Sequence, residues 1–239
     1  MSNNNWKTFT KKSDQVYEKL NRTGELGRLE SHNLINGTCL EILFIDNLLR
    51  HQLNNKIKES VFDFCCGAGF LSKEFIKMGH KVTGIDINEN AVTYASKNNP
   101  KGSFIAGDAT KYQEFLPNEK FDLIIAREAH PFTRVGDWNL HKQLLDSFDK
   151  SLNHGGSIVI AHASFGGNLS FDSIDFHRAS AYLKTKGYTI IDPVCYFLIK
   201  HLKINVKSYT VTRILSTAGV IIQRLLNQRW ISFYIAVKN

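Results

Sequence analysis

Three acids stand where runs of strand character carry or release the chain. Asp63 lies within V-F-D-F, Asp86 ends V-T-G-I-D, and Asp108 follows F-I-A-G. After the first run comes C-C-G-A-G-F, with Gly67 and Gly69 opening a helix-compatible stretch. Glycine reaches backbone angles closed to other residues, and without a Cβ it lets a ligand lie on the main chain. An acid in the position of Asp86 can accept hydrogen bonds from both hydroxyls of a ribose. Asp108 can accept one from an adenine amino group. Each residue also has a plainer use. The glycines can simply link strand to helix, Asp86 can be a solvated loop acid, and Asp108 can cap the helix that follows. The recurrence of acids at successive strand ends favours a nucleotide-like ligand. Ser72 stands where a dinucleotide-binding G-x-G-x-x-G turn prefers its third glycine, which demotes an NAD-type site.

A second group follows the fourth apolar run, in A-R-E-A-H-P-F-T-R from Ala126 to Arg134. Imidazole titrates near neutral pH, so His130 is the candidate general base for a hydroxyl acceptor. Its alternative is a loop histidine bonded to backbone ahead of Pro131. Glu128 can orient His130 or contact substrate, or be a surface acid. Arg127 and Arg134 can grip an anionic group in two-pronged fashion, or pair with Glu128 or Asp137. His162, ending the fifth apolar run, is a second candidate base or substrate ligand. The His and Cys spacings suggest no metal site.

Positioning these residues requires strands that all deliver their carboxyl ends to one edge. Strand-like runs are Ser60–Phe64, Lys81–Asp86, Ser103–Ala106, Phe121–Ala126, Ser157–His162, Tyr188–Pro193 and Trp230–Val237. Helix-compatible segments at Gly69–Lys77, Glu89–Lys97, Asp137–Leu152 and Asp172–Lys186 separate most of them. Such alternation predicts an α/β fold of Rossmann-like type: a seven-stranded, mostly parallel sheet with helices on both faces. Ligands then bind beyond the strands' carboxyl ends, where the strand order reverses. Residues 1–57 are expected to be a helical lead-in or lid, and 58–239 the ligand-binding domain with a helical insert at 197–228. In the insert, Ile214, Leu215, Ala218, Ile221, Ile222, Leu225 and Leu226 fall on one helical face, which the fold is expected to bury.

Composition sets outer bounds. With 239 residues, 43% apolar and 22% charged, one large domain needs no disulfide support. Four cysteines, two of them adjacent at Cys65 and Cys66, fit neither a disulfide framework nor a zinc site. The chain has no apolar signal core or membrane span, so a cytoplasmic location is expected. The formal charge is +8, and seven basic residues unopposed by any acid lie between Pro193 and Asn239. That basic region can attract an acidic small substrate, lie on an anionic membrane surface, or be a solvated face.

Taken together, V-F-D-F-C-C-G-A-G-F, V-T-G-I-D-I, F-I-A-G-D-A-T, F-D-L-I-I-A and G-G-S-I-V-I resemble class I S-adenosylmethionine (SAM)-dependent methyltransferases. The resemblance spans residues 58–163. It implies SAM as cofactor and S-adenosylhomocysteine as product. Gly67 and Gly69 would lie against the methionine part, and Asp63 would steady the turn or meet the amino group. Asp86 would hold the ribose, Ile87 would pack on the adenine, and Asp108 and Ala109 would stand at its edge, with Arg127 nearby. The family usually has glycine where this chain has Cys65. Amino methyltransferases acting on nucleic acid resemble Asp/Asn-Pro-Pro-aromatic after the fourth strand. Here the chain reads Ala-His-Pro-Phe, which counts against a base-methylating enzyme. The expected function is methyl transfer to a small molecule, at a hydroxyl that carries an anionic group nearby, by a monomer or homodimer. The rivals are a nucleic-acid or protein methyltransferase and a non-enzymatic SAM-binding module.

Overall fold

The computed structural model describes residues 15–20, 22–25, 38–165, 174–196, 198, 202, 208–226 and 230–239. Residues 15–20 form helix α1. Then follow α2 (Thr38–Leu53), β1 (Ser60–Phe64), α3 (Phe70–Lys77), β2 (Lys81–Asp86), α4 (Glu89–Asn98) and β3 (Ser103–Ala106). Next come α5 (Tyr112–Phe115), β4 (Phe121–Arg127), α6 (His130–Thr133), α7 (Trp138–Ser151) and β5 (Leu152–Phe165). The chain closes with α8 (Phe176–Thr185), β6 (Tyr188–Cys195), α9 (Tyr209–Leu225) and β7 (Trp230–Lys238).

The seven strands lie in the order β3-β2-β1-β4-β5-β7-β6. β1 pairs in parallel with β2 and β4, while β7 runs antiparallel between β5 and β6. The chain builds outward from β1 to β3, then returns to add β4 on the other side. The strand order therefore reverses between β1 and β4.

Alternation along each strand splits the core in two. Val61, Leu123, Ile125, Val159 and Ile235 face α2 and α3, where Ile45, Leu49, Leu71 and Phe75 meet them. Phe62, Phe64, Ile124, Ile158 and Ile160 face the other way, onto Tyr112, Phe132, Phe148 and Leu183 of α5 to α8. Phe62 stacks on Phe121 at 4.9 Å between ring centroids and meets Tyr112 at the same distance. Asp63 shares the Val61 face by the same period of two, which puts a carboxylate beneath α3 in an otherwise apolar layer. Asp137 and Asp175 cap α7 and α8, accepting bonds from the N–H groups of Asn139 and Arg178 at 2.8 and 3.1 Å.

Several boundaries differ from expectation. β5 begins at Leu152, not Ser157, because Asn153–Gly156 form an irregular step between the Phe121↔Leu152 and Leu123↔Ser157 pairings with β4. It also runs on to Phe165, since β7 continues to pair with it after β4 has ended at Arg127. His130 opens the short helix α6, with Pro131 at its first turn, where a loop was expected. Of the expected pair of inserted helices, α9 is described, while residues 199–201 and 203–207 lie outside the described set.

The face of α9 is a clearer correction. Of the face expected to be buried, Leu215 packs against the core and Ala218 and Ile222 are half-buried, but Ile214, Ile221, Leu225 and Leu226 are exposed, and Thr212 and Ser216 are buried instead. The inward side is set by a close approach. The Ser216 hydroxyl accepts a hydrogen bond from the Cys195 backbone N–H at 2.9 Å, and a Cβ on Gly219 would lie 3.1 Å from the Cys195 sulfur. Bulky side chains cannot occupy that seam, so small residues take it. Phe176 belongs to the core, where it stacks on Tyr234, and the half-buried Tyr182 packs against it and meets Trp138 edge-on.

Candidate functional site

At the β1/β4 reversal the strand ends enclose a cavity of about 310 Å³. The turn after β1 forms its floor. Cys65, Gly67 and Gly69 have φ of 61°, 52° and 73°, all in the left-handed region. For Cys65 this conformation costs roughly 1–2 kcal/mol relative to glycine, which accounts for glycine being usual there. A Cβ on Gly67 would lie 3.0 Å from the Tyr17 hydroxyl of α1, and one on Gly69 would lie 2.8 Å from the Ala95 side chain of α4. Gly67 thus lets α1 close over the turn, and Gly69 lets α4 pack against it.

Carboxylates knit this floor together. Asp86, at the end of β2, accepts bonds from the Gly67 N–H at 2.8 Å and from Asn88 N–H and Nδ2 at 2.9 and 3.2 Å. Asp63 accepts the Ser72 hydroxyl at 2.5 Å, beneath the first turn of α3. Burial pushes the Asp63 carboxyl up to about 6, opposed by the Ser72 bond and reinforced by the charge on Asp86. Asp86 is also raised, chiefly by burial, with backbone donors at Asn88 and Gly67 working against it. Burial raises the Cys65 and Cys66 thiols, with the neighbouring aspartates adding to the effect. Asp108 takes Thr110 N–H and Oγ1 on one oxygen, Oδ1, at 2.9 and 2.7 Å. It is therefore a cap and a cavity-lining acid at once.

The opposite wall comes from β4 and α6. Arg127 is held by Glu41 of α2 through two bonds, from Nε at 2.6 Å and Nη2 at 3.0 Å. Glu128 has φ 53° and donates its N–H to the Ala161 carbonyl at 2.7 Å. A glutamate held in the left-handed region beside a cavity is local strain of the kind that gathers at functional sites. His130 has its pKa lowered, first by burial and then by the nearby Arg134 cation, so its imidazole is neutral at pH 7. Tyr17 covers the cavity from the other side. Burial and the charges of Asp86 and Cys66 push its phenol up to about 12, which keeps it a neutral hydrogen-bond donor.

The cavity brings together Asp63, Cys65, Gly67, Asp86, Ile87, Asp108, Ala109, Arg127, Glu128 and His130. Gly69 supports the turn from below and is not in the lining. Arg134 is exposed and outside it. His162 sits on β5 opposite Ser232, and its side chain lies outside the described set. Reasoning from sequence passed over Tyr17 and Glu41, whose partners are far along the chain. It weighed Ser72 only as a missing glycine. Asn88 did carry a signal, being an amide two residues after Asp86 at a helix start. Among the described residues no three His, Cys, Asp or Glu cluster so as to hold a metal ion.

Comparison with known proteins bears on this geometry. Residues 61–156 match the family described as a methyltransferase domain. A ribosomal protein L11 methyltransferase from Nitrosomonas europaea is 35% identical over 107 residues, covering 43% of this chain and 34% of the relative. A malonyl-[acyl-carrier protein] O-methyltransferase from Buchnera aphidicola is 25% identical over 156 residues, covering 61% of this chain and 56% of the relative. The chain thus spans about a third to a half of the length of these curated relatives. Among solved structures, the plantazolicin methyltransferase BamL in complex with a triazolic desmethylPZN analog and S-adenosylhomocysteine superposes with a TM-score of 0.60 at 14% identity. That superposition covers 98% of this chain and 99% of the other. At that identity the likeness speaks for the fold alone, and the fold is that of a class I methyltransferase.

Proposed function

We propose that this chain, with a methyltransferase domain over residues 61–156, transfers a methyl group from SAM to a hydroxyl on a small molecule. The observation that carries this reading is the run of carboxylates, Asp63, Asp86 and Asp108, around a left-handed glycine turn in one cavity. With Glu128, four carboxylates line it against one guanidinium already held by Glu41. Such a wall favours a cation that carries hydroxyls and an amine. SAM fits that description, and the bare backbone at Gly67 leaves room beside it.

The assignment of parts follows from this fit. Asp86 takes the ribose hydroxyls while its bonds to Gly67 and Asn88 hold it in place. Asp108 keeps Oδ1 on Thr110 and offers Oδ2 to the adenine edge, with Ala109 and Ile87 packed beside the ring. Gly67, Cys65 and Asp63 receive the methionine part, and the guanidinium edge that Glu41 leaves open on Arg127 meets a carboxylate or an anionic group of the acceptor. When bound, SAM supplies an electrophilic methyl on a cationic sulfur. His130, neutral at pH 7, takes the proton from the acceptor hydroxyl. Glu128 orients that imidazole, and Arg134 and His162 remain the further candidates for holding the acceptor. Of the N-terminal lead-in, α1 serves as the cover, with Tyr17 its point of closure, α2 packs on the sheet, and 58–239 serve as the binding domain with its insert at 197–228.

Calorimetry with SAM and a labelled-methyl assay over an acceptor panel test the proposal. His130→Ala should lower kcat by about 10²–10⁴-fold with SAM affinity unchanged. Absence of SAM binding would overturn the cofactor assignment. Binding without turnover on any acceptor, and with nothing lost on His130→Ala, would leave a SAM-binding module. The L11-methyltransferase relatives support a protein acceptor as the second reading. Methylation of a ribosomal protein in preference to the small-molecule panel would decide for it.

A further inference from the structure

The longest described helix outside the methyltransferase match, α9, divides its apolar side chains: Leu215 packs against the core, while a second set faces solvent. Thr212 and Ser216 are 1% and 5% exposed, while Ile214, Ile221 and Leu225 are 61%, 54% and 80% exposed. Val211 extends the same strip. At intervals of three, seven and four residues these positions form one line along the helix. A contiguous exposed apolar strip of this kind marks an interaction surface.

The charge around it identifies the partner. Between Pro193 and Asn239 there is no acid, and of the seven bases Lys238 is already paired with Asp149 at 2.9 Å. The other six stand between Lys200 and Arg229 in the sequence, Arg213 and Arg224 of them on α9 itself. A second copy of the chain would bring these cations against one another. An anionic lipid surface accepts both features, taking the cations at its headgroups and the apolar strip at the acyl boundary. No described helix is long and apolar enough to cross a membrane, so contact would be along the surface.

We infer that α9 docks this protein on an anionic lipid surface, with Ile214, Ile221 and Leu225 entering the headgroup boundary. The helix is pinned by Ser216 to Cys195, at the carboxyl end of β6. β6 runs parallel to β4, so that end lies on the same edge of the sheet as the cavity, three strand spacings or about 14 Å from β4. Docking therefore holds the cavity's edge near the lipid surface.

Co-sedimentation of the full chain with vesicles tests this. It should pellet with phosphatidylcholine mixed with phosphatidylglycerol, not with phosphatidylcholine alone, and less as salt rises. The triple variant I214S/I221S/L225S should lose pelleting, and K200Q/K203Q/K207Q should weaken it roughly a hundredfold. Thermal melts and SAM calorimetry of the serine variant should stay at wild-type values, since Ile214, Ile221 and Leu225 are solvent-exposed and outside the cavity lining. Failure to pellet with anionic vesicles overturns the inference, as does a serine variant that pellets like wild type. Light scattering that shows a dimer broken by the serine variant, with vesicle binding intact, would assign the strip to a second copy instead.

Discussion

Asp86 carries the sharpest single-residue consequence. It receives three protein bonds, and a ribose would add charge-assisted bonds worth roughly 1.5–3 kcal/mol. Asp86→Ala should therefore weaken SAM binding by tens-fold or more in calorimetry. Unchanged affinity would remove the ribose assignment. Asp63 makes a prediction about pH. Its folded pKa of about 6 stands above the ordinary 3.8, so between those values the folded chain binds more protons than the unfolded one. The stability due to this residue accordingly falls as pH rises from about 4 to about 6, and the cost is complete above that. Asp63→Asn, which can still accept from Ser72, should stabilise the ligand-free chain by about 1–3 kcal/mol at pH 8, with the gain fading near pH 4 in urea melts. A cationic ligand should pull the same carboxyl back toward its usual range, so SAM affinity should decline as pH drops through 6. The three aspartates were legible from their spacing alone. Tyr17 was not, because nothing near residue 17 indicates that Gly67 lies under its hydroxyl.

The element that most affects the site without bearing a strand-end motif is α2. Its apolar residues Ile42, Ile45, Leu48 and Leu49 follow the helical period and are buried as that period predicts. The acid on the same helix, Glu41, is 2% exposed and ties α2 to the end of β4 through Arg127. Glu41→Ala should cost about 2–3 kcal/mol in chemical denaturation, since it leaves a guanidinium beside the cavity without its carboxylate. A loss under 0.5 kcal/mol would show that water replaces the pair. For α1, Tyr17→Ala should speed SAM dissociation about tenfold or more, as expected when a covering aromatic side chain is removed. Tyr17→Phe separates packing from the hydroxyl. Both effects are read by stopped-flow displacement. An apolar period predicts that a helix packs. It carries no information on which distant charge the helix will meet.

Across the whole molecule, a ligand that binds only the folded state must raise its stability. At a hundred times its Kd, SAM should add about 2.7 kcal/mol and raise Tm by roughly 5–10 °C for a chain of this size. NAD at the same concentration should not. By itself, the amino-acid sequence determined the alternation of strands and helices, the two-faced layering and the edge at which ligands gather. These follow from periodicity and from glycine and aspartate chemistry, which act within a few residues. Strand starts and ends at β1, β2 and β3 were readable for the same reason. Only the tertiary structure decided that Glu41 meets Arg127, that Tyr17 roofs Gly67, and that α9 turns Ser216 inward and Ile214 outward. An amphipathic pattern states that a helix has two faces, but which face is buried depends on the room its neighbours leave. At the Cys195 seam that room admits a hydroxyl and a glycine and no isoleucine.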